Sequence, residues 1–198
     1  MKRMICAISL GILFWVPILS QAIDTPPMIH VTNEHNGQHD DSLDAFTETK
    51  FLGPYQFRVL KDAIETKGET KDIDGRVFRT SDGVFMHVKA RSIDDSSMSL
   101  DNEIKNLVKE RTIPEPTAKM VLPIKDSVIE VNNDGVRSLL AEFMYGWPLK
   151  NRTDMVLVTD YEGTRYYYKL QFYRDRLPKG VRIEQLRQMI MDAQFSYK

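Results

Sequence analysis

Cysteine is nearly absent. The single thiol, Cys6, sits inside an apolar stretch at the start of the chain. Everything after it is therefore barred from disulfides, a thiolate nucleophile or a Cys-zinc site, and stability must come from core packing. A charge excess is missing too. The 27 Lys and Arg stand against 28 Asp and Glu, a formal net charge of −1. No polybasic tract breaks this balance, so no nucleic-acid partner is expected. Beyond residue 22 no apolar run approaches the roughly 20 residues that a membrane-crossing helix needs. Catalytic signatures are also lacking: there is no Gly-x-Ser-x-Gly elbow and no His-Glu-x-x-His zinc pair.

What is present starts at the N-terminus. Met1-Lys2-Arg3 is a short basic opening, and Met4 to Val16 is apolar and uncharged. Pro17 breaks the run, and Ser20-Gln21-Ala22 places small residues at the −3 and −1 positions of a cleavage site. This is the layout of a secretory signal peptide over residues 1–22. The expectation is export to the periplasm or extracellular space, with Ile23 as the first mature residue. Cys6 lies near the beginning of the apolar run rather than at its end, which argues against a lipid anchor. Removal of Lys2 and Arg3 leaves 25 basic residues against 28 acidic ones, about −3.

Residues 23–50 read as a flexible lead-in. They hold Pro26-Pro27, His30, His35 and His39, and few large apolar side chains, too little to offset their own ordering entropy. Deletion of residues 23 to about 48 is expected to leave the fold intact. A single domain is assigned to residues 51–198. Tyr55 to Val59 alternates as a strand, and Arg76 to Thr80 and Val84 to Arg91 form a hairpin around Ser81-Asp82-Gly83. In the second of these strands Phe85, His87, Lys89 and Arg91 share the polar face. Leu100, Ile104, Leu107 and Val108 then fall on one helical face, with Ser97 or Ser99 as cap and Pro114 and Pro116 as terminators. Ala118 to Leu122 and Ser127 to Val131 are extended pieces. Asn132-Asn133-Asp134-Gly135 turns into a long strand, Val136 to Tyr145, which Gly146-Trp147-Pro148 breaks. Asp154 to Tyr161 and Thr164 to Arg174 form a last hairpin through Glu162-Gly163. A closing helix from about Val181 carries Ile183, Leu186, Ile190 and Ala193. Hairpins of this kind make an antiparallel sheet of about six to seven strands. Two amphipathic helices must bury their stripes against it, an α+β layered domain, with Leu107 and Ile190 expected mid-stripe.

Three groups of residues are candidates for chemistry. His30, His35 and His39 are the metal-ligand candidates, with Asp40 and Asp41 as hard oxygen donors; a solvated tail with scattered histidines accounts for the same pattern. Asp72-Ile73-Asp74-Gly75 opens like a calcium loop but has Gly at the wrong position, so it reads as a turn. His87 is the only histidine of the domain and would be the base of a hydrolase if a nucleophile and an orienting carboxylate met it in space. The strand from Thr164 to Arg174 is the richest surface candidate. Its Tyr166, Tyr168, Leu170 and Phe172 face the core. Arg165, Tyr167, Lys169 and Tyr173 face the other way and form the expected binding surface, because Tyr and Arg dominate many interfaces. An ordinary solvent face is the plainer account. Neither Arg165 nor Tyr167 is expected in the core.

Taken together, these features resemble the Mog1/PsbP-like fold. They are the short opening strand behind Gly53-Pro54, the two strands before a helix that leaves the Ser-rich loop Ser92 to Ser99, and the Asn-Asp-Gly turn into a long strand. The Tyr-rich hairpin strand and the closing Ala193-Gln194-Phe195-Ser196 complete the set. That fold includes photosystem accessory proteins, a Ran-binding protein and envelope proteins of the DcrB type. The resemblance covers about residues 51–198. It implies an accessory or binding role. Together with the signal-peptide layout, the expectation is an exported, non-enzymatic accessory or interaction protein with no cofactor, whose partner is another envelope or extracellular protein. The resemblance transfers no site residue and sets no oligomeric state. The alternatives are a secreted hydrolase whose site is assembled from dispersed residues, and a small-ligand or metal carrier built on the histidine-bearing lead-in.

Overall fold

The computed structural model describes residues 29–30, 41–66, 75–94, 98–112, 121–145 and 151–196. In chain order these form β1 (Ile29–His30), α1 (Asp41–Asp44), β2 (Thr47–Leu52), β3 (Tyr55–Leu60), β4 (Ile64–Thr66), β5 (Gly75–Arg79) and β6 (Phe85–Ser92). Then follow α2 (Leu100–Thr112), β7 (Val121–Asn133), β8 (Val136–Tyr145), β9 (Arg152–Tyr161), β10 (Thr164–Tyr173), α3 (Ile183–Met191) and β11 (Gln194–Phe195). An eight-stranded sheet runs β1-β7-β8-β9-β10-β6-β5-β4, and a three-stranded sheet runs β11-β3-β2. The β1–β7 pair is parallel, and the neighbouring hairpins are antiparallel.

Turn chemistry fixes the central register. Asp134 and Gly135 both have positive φ, as do Glu162 and Gly163. Two such residues between paired strands are the type I′ geometry that matches strand twist. The first turn sets Asn133 opposite Val136, and the second sets Tyr161 opposite Thr164. The two extended pieces expected around Pro123 are one strand, β7, whose register shifts between Pro123 and Val128.

The large sheet is covered on both faces. On the inner face Leu140, Met155, Leu157, Tyr166, Tyr168, Leu170, Phe172, Met86 and Val88 pack against β3 and α3. Aromatic contacts knit the layers: Tyr55 stacks on Tyr166 at 4.9 Å, and Phe57 meets Tyr168 at 5.7 Å. Each fully buried side chain of this kind contributes about 1.5–3 kcal/mol of hydrophobic stabilisation. On the outer face, Leu100, Ile104 and Val108 of α2 bury against Leu139, Ala141, Phe143, Val156, Val158 and Tyr167. The Oγ of Ser99 accepts from the backbone of Asn102 and caps this helix.

The architecture is therefore α+β, as expected, with one difference of layout. Helices α2 and α3 lie on opposite faces of the large sheet, and a second, small sheet shares the inner layer with α3. The expected six to seven strands become eight in the large sheet because β1 and β4 are short pieces at its edges.

Packed structure is also found before residue 51. Leu43 of α1 is 0% exposed, and β2 begins at Thr47 and pairs with β3 along its length. Arg58 ties both pieces down, donating to Oδ1 of Asp44 at 2.6 Å and to Oγ1 of Thr47 at 3.0 Å. One buried leucine and a strand pairing anchor a segment whose composition alone reads as a tail. Near the other end of the chain, Asn133 donates to the carbonyls of Met191 and Ala193 and fixes the exit of α3.

Candidate functional site

Alternation along β10 places Arg165, Tyr167, Lys169, Gln171 and Tyr173 on the outer face. Along β6 the same face carries Phe85, His87, Lys89 and Arg91. The antiparallel register sets Arg165 opposite Arg91, Tyr167 opposite Lys89 and Lys169 opposite His87. Helix α2 covers the β7–β8–β9 side of this face and stops short of β6. The step between helix and sheet is a cleft of about 410 Å³ lined by His87, Lys89, Arg91, Glu103, Leu107, Glu110, Val156, Tyr167 and Lys169.

The four residues expected as a binding surface divide. Arg165 is 1% exposed and Tyr167 6%, so the expectation that both stay out of the core is corrected. The strand faces are assigned as expected; α2 lies over that part of the outer face. Arg165 is the fastening. Its Nε and Nη2 donate to the carboxylate of Asp160 at 2.6 and 2.8 Å, Nη1 donates to Oε2 of Glu103 at 3.2 Å, and Nη2 also reaches the carbonyl of Met98 at 2.6 Å. The Asp160 carboxylate beside it raises the guanidinium pKa further. The Tyr167 hydroxyl donates to Oε1 of Glu103 at 2.7 Å. Burial first, and the bond to Glu103 second, push this phenol up to about 12. Lys169 is half-buried, with Nζ 3.7 Å from Oδ2 of Asp154. Tyr173 stands at the far end of the strand, where the Arg176 guanidinium lies 5.9 Å from its ring; it does not line the cleft.

The basic wall of the cleft comes mostly from β6, whose polar face is a set in the sequence without being marked there as a binding surface. The Lys89 ammonium sits 4.6 Å from the centre of the Tyr167 ring, with the Arg91 guanidinium 5.8 Å away. Both are cation–π contacts that become stronger as water is removed. Burial lowers the Lys89 pKa, Arg91 lowers it further, and Glu103 opposes the shift. The His87 pKa is likewise lowered by burial, then by Lys89 and Lys169. Gly75 stands opposite Lys89, and a Cβ there would lie 3.1 Å from the Val88 carbonyl and 3.3 Å from His87 Nε2. A side chain there would require its neighbours, the imidazole included, to give by a few tenths of an ångström.

Two carboxylates of the site, Glu103 and Asp154, are already engaged. Both Glu103 oxygens accept bonds from Tyr167 and Arg165, and Arg91 lies 3.8 Å away. Asp154, fully buried, accepts from Nε and Nη2 of Arg152 at 2.9 Å each. The charged neighbours that set the state of His87 are lysines. Of the metal candidates, His35 and His39 lie outside the described residues, and His30 is placed by its backbone in β1, beside Glu130 of β7. Among the described residues no three His, Cys, Asp or Glu side chains are grouped to hold a metal ion, and no helix is long and apolar enough to cross a membrane. The Asp72-to-Asp74 stretch and Trp147 also lie outside the described residues.

This layered α+β domain is a PsbP-like fold. It is similar to the solution structure of cyanobacterial PsbP (CyanoP) from Synechocystis sp. PCC 6803, with a TM-score of 0.56 over 77% of this chain and 94% of that one, at 14% identity. A crystal structure from Bacteroides thetaiotaomicron VPI-5482 is also similar, with a TM-score of 0.45, 15% identity, and coverage of 76% and 49%. No protein-family model matches the sequence, and no curated protein matches it. At these identities the likeness is one of fold.

Proposed function

We propose that the protein is an exported, non-enzymatic accessory protein that binds another envelope or extracellular protein through the cleft between α2 and β6. The observation that carries this reading is the composition of the cleft. A basic wall of His87, Lys89, Arg91 and Lys169 faces an aromatic and aliphatic floor of Tyr167, Val156 and Leu107. Charged and aromatic groups around an apolar base are the makings of a recognition surface. The PsbP-like fold supports the accessory role, and the signal-peptide layout of residues 1–22 supports export.

The hydrolase reading gains less. A histidine base needs a nucleophile and a carboxylate that orients its ring. Here the charged neighbours that shift His87 are two ammonium groups, and Glu103 and Asp154 serve Arg165, Tyr167 and Arg152.

Two measurements test the proposal. Mass spectrometry of protein recovered outside the cytoplasm should find Ile23 as the first residue; an intact Met1 would overturn export. Affinity capture from envelope and culture fluid should compare the native protein with a Lys89→Gln/Lys169→Gln double variant. A partner captured by the first and lost by the second, with melting unchanged, supports the cleft. Equal capture by both places the binding surface elsewhere.

A further inference from the structure

We propose that the cleft recognises a carboxylate side chain carried by an acidic segment of the partner protein. This rests on the reading of the cleft as a binding surface and specifies what that surface selects. The groups that face the cleft come from four elements: His87, Lys89 and Arg91 from β6, Tyr167 and Lys169 from β10, Glu103, Leu107 and Glu110 from α2, and one residue of β9. Val156 of β9 completes the floor, and Asp154 of the same strand lies 3.7 Å from Lys169.

Lys89 is the centre of the argument. Its ammonium is half-buried over the Tyr167 ring, so it has given up part of its hydration. It stands beside a second cation, Arg91, and the carboxylate nearest to it, Glu103, is held by Tyr167 and Arg165. Lys169 points into the same space from the neighbouring strand. An incoming carboxylate would offset the repulsion that Lys89 meets from Arg91 and that His87 meets from Lys89 and Lys169, in a partly dehydrated setting where charge-assisted hydrogen bonds are strong.

The opposite wall limits the ligand. Glu103 and Glu110 line the helix side, so a polyphosphate or a nucleic-acid backbone would meet repulsion as well as attraction. A single carboxylate beside an apolar neighbour fits both walls: the acid on the lysine side, the neighbour over Leu107, Val156 and Tyr167. A volume of about 410 Å³ has room for side chains of this size.

His87 makes the site sensitive to pH. Cross-strand pairing sets it opposite Lys169, and burial, then the two lysines, disfavour the imidazolium. A bound anion favours the imidazolium, so binding takes up a proton and tightens as pH falls. Between about pH 7.5 and 6 histidine is the side chain whose charge changes.

The experiment is fluorescence anisotropy of a dye-labelled hexapeptide of Asp, Glu and Phe against the purified protein, at pH 7.5 and 6.0. The other arms are the same peptide with Asn and Gln for the acids, competition by inorganic phosphate, and phosphatidylglycerol vesicles. The acidic peptide should bind saturably and the amide peptide should not. Affinity should rise about threefold or more at the lower pH, the sign that linkage requires. Lys89→Gln and Lys169→Gln should each weaken binding about tenfold with unchanged melting. His87→Gln should weaken binding at pH 6.0 and abolish the pH dependence. Equal binding of the amide peptide, displacement by phosphate, or lysine-dependent binding to vesicles would each overturn the proposal. Absence of peptide binding would also overturn it, and the wider reading would survive if partner capture still depended on Lys89 and Lys169.

Discussion

The Tyr167 hydroxyl on β10 donates a 2.7 Å hydrogen bond to Oε1 of Glu103 on α2, and this bond joins the helix to the floor of the cleft. Hydrogen bonds to charged acceptors contribute more than neutral ones, about 1.5–3 kcal/mol. Glu103 retains Arg165 when the phenol is lost, so Tyr167→Phe should cost about 1.5 kcal/mol, the lower end of that range. Urea denaturation at pH 7 measures it. An unchanged midpoint would mean that the helix is held by its apolar stripe and Arg165 alone.

The same phenol predicts the alkaline behaviour. Its pKa in the folded chain is pushed up to about 12, against about 10 in an unfolded one. The folded state therefore holds the proton more tightly. The associated stability is fully present below about pH 10 and is lost as pH rises toward 12. Burial also raises the pKa values of Tyr55 and Tyr168, and of Tyr166, so all four act with the same sign. Denaturation midpoints should be nearly level between pH 8 and 9 and fall from pH 10 to 11, and Tyr167→Phe should reduce that fall. A flat profile would mean that these rings ionise as readily folded as unfolded.

Arg165 is expected to be the most sensitive charged position. It is almost fully buried and bonds two carboxylates and a backbone carbonyl. Removal of one partner of a buried ion pair strands the others, at roughly 3–5 kcal/mol. Arg165→Met should fall in that range. Arg165→Lys should also destabilise, because one ammonium cannot replace the fork that holds Asp160. Melting curves of both variants decide this; near-native melting of either would show that α2 does not depend on the anchor.

The alternation of β10 and β6, the turns at Asp134-Gly135 and Glu162-Gly163, and the stripes of both helices were legible in the sequence because each is a local pattern of period two or near 3.6. The cleft was not. It requires β6 to sit beside β10, two strands more than 70 residues apart in the chain, and nothing local in either one specifies that neighbour. The burial of Arg165 was hidden for a related reason. Periodicity tells which side chains share a face; it does not tell that α2 crosses that face at Tyr167 and leaves Lys169 and His87 beyond its edge. The polar face Phe85-His87-Lys89-Arg91 was visible as a set, and its meaning came only with its partner strand.

Mid-stripe residues of the helices separate into two classes. Ile104 and Ile190 are buried, and truncation to alanine should cost roughly 2–5 kcal/mol each. Leu107 is only half-buried at the lip of the cleft, which places it off the centre of the stripe. Leu107→Ala should cost about 1 kcal/mol or less, within the range of partly exposed sites. Chemical denaturation of the three variants tests the order. A large loss at Leu107 with a small one at Ile104 would require α2 to be rotated about its axis.

The last prediction concerns the segment before β3. Leu43 is completely buried, and Oγ1 of Thr47 donates back to its carbonyl at 2.7 Å. Arg58, itself buried, receives Asp44 on one side and Asp192 at 3.3 Å on the other, so it links this segment to the exit of α3. Leu43→Ala should therefore cost roughly 2–5 kcal/mol, as for any fully enclosed leucine. Deletion of residues 23–48 removes that leucine, Asp44 and Thr47 together. It leaves Arg58 without two of its partners and strips β3 of part of its edge pairing. The deletion should lower the melting temperature by more than about 10 °C, well beyond the 4–8 °C that 1 kcal/mol shifts a domain of 60–100 residues. Leu43→Ala and the deletion should be measured side by side by calorimetry. A native melting temperature for both would mean that α1 and β2 are dispensable and that the fold begins at β3.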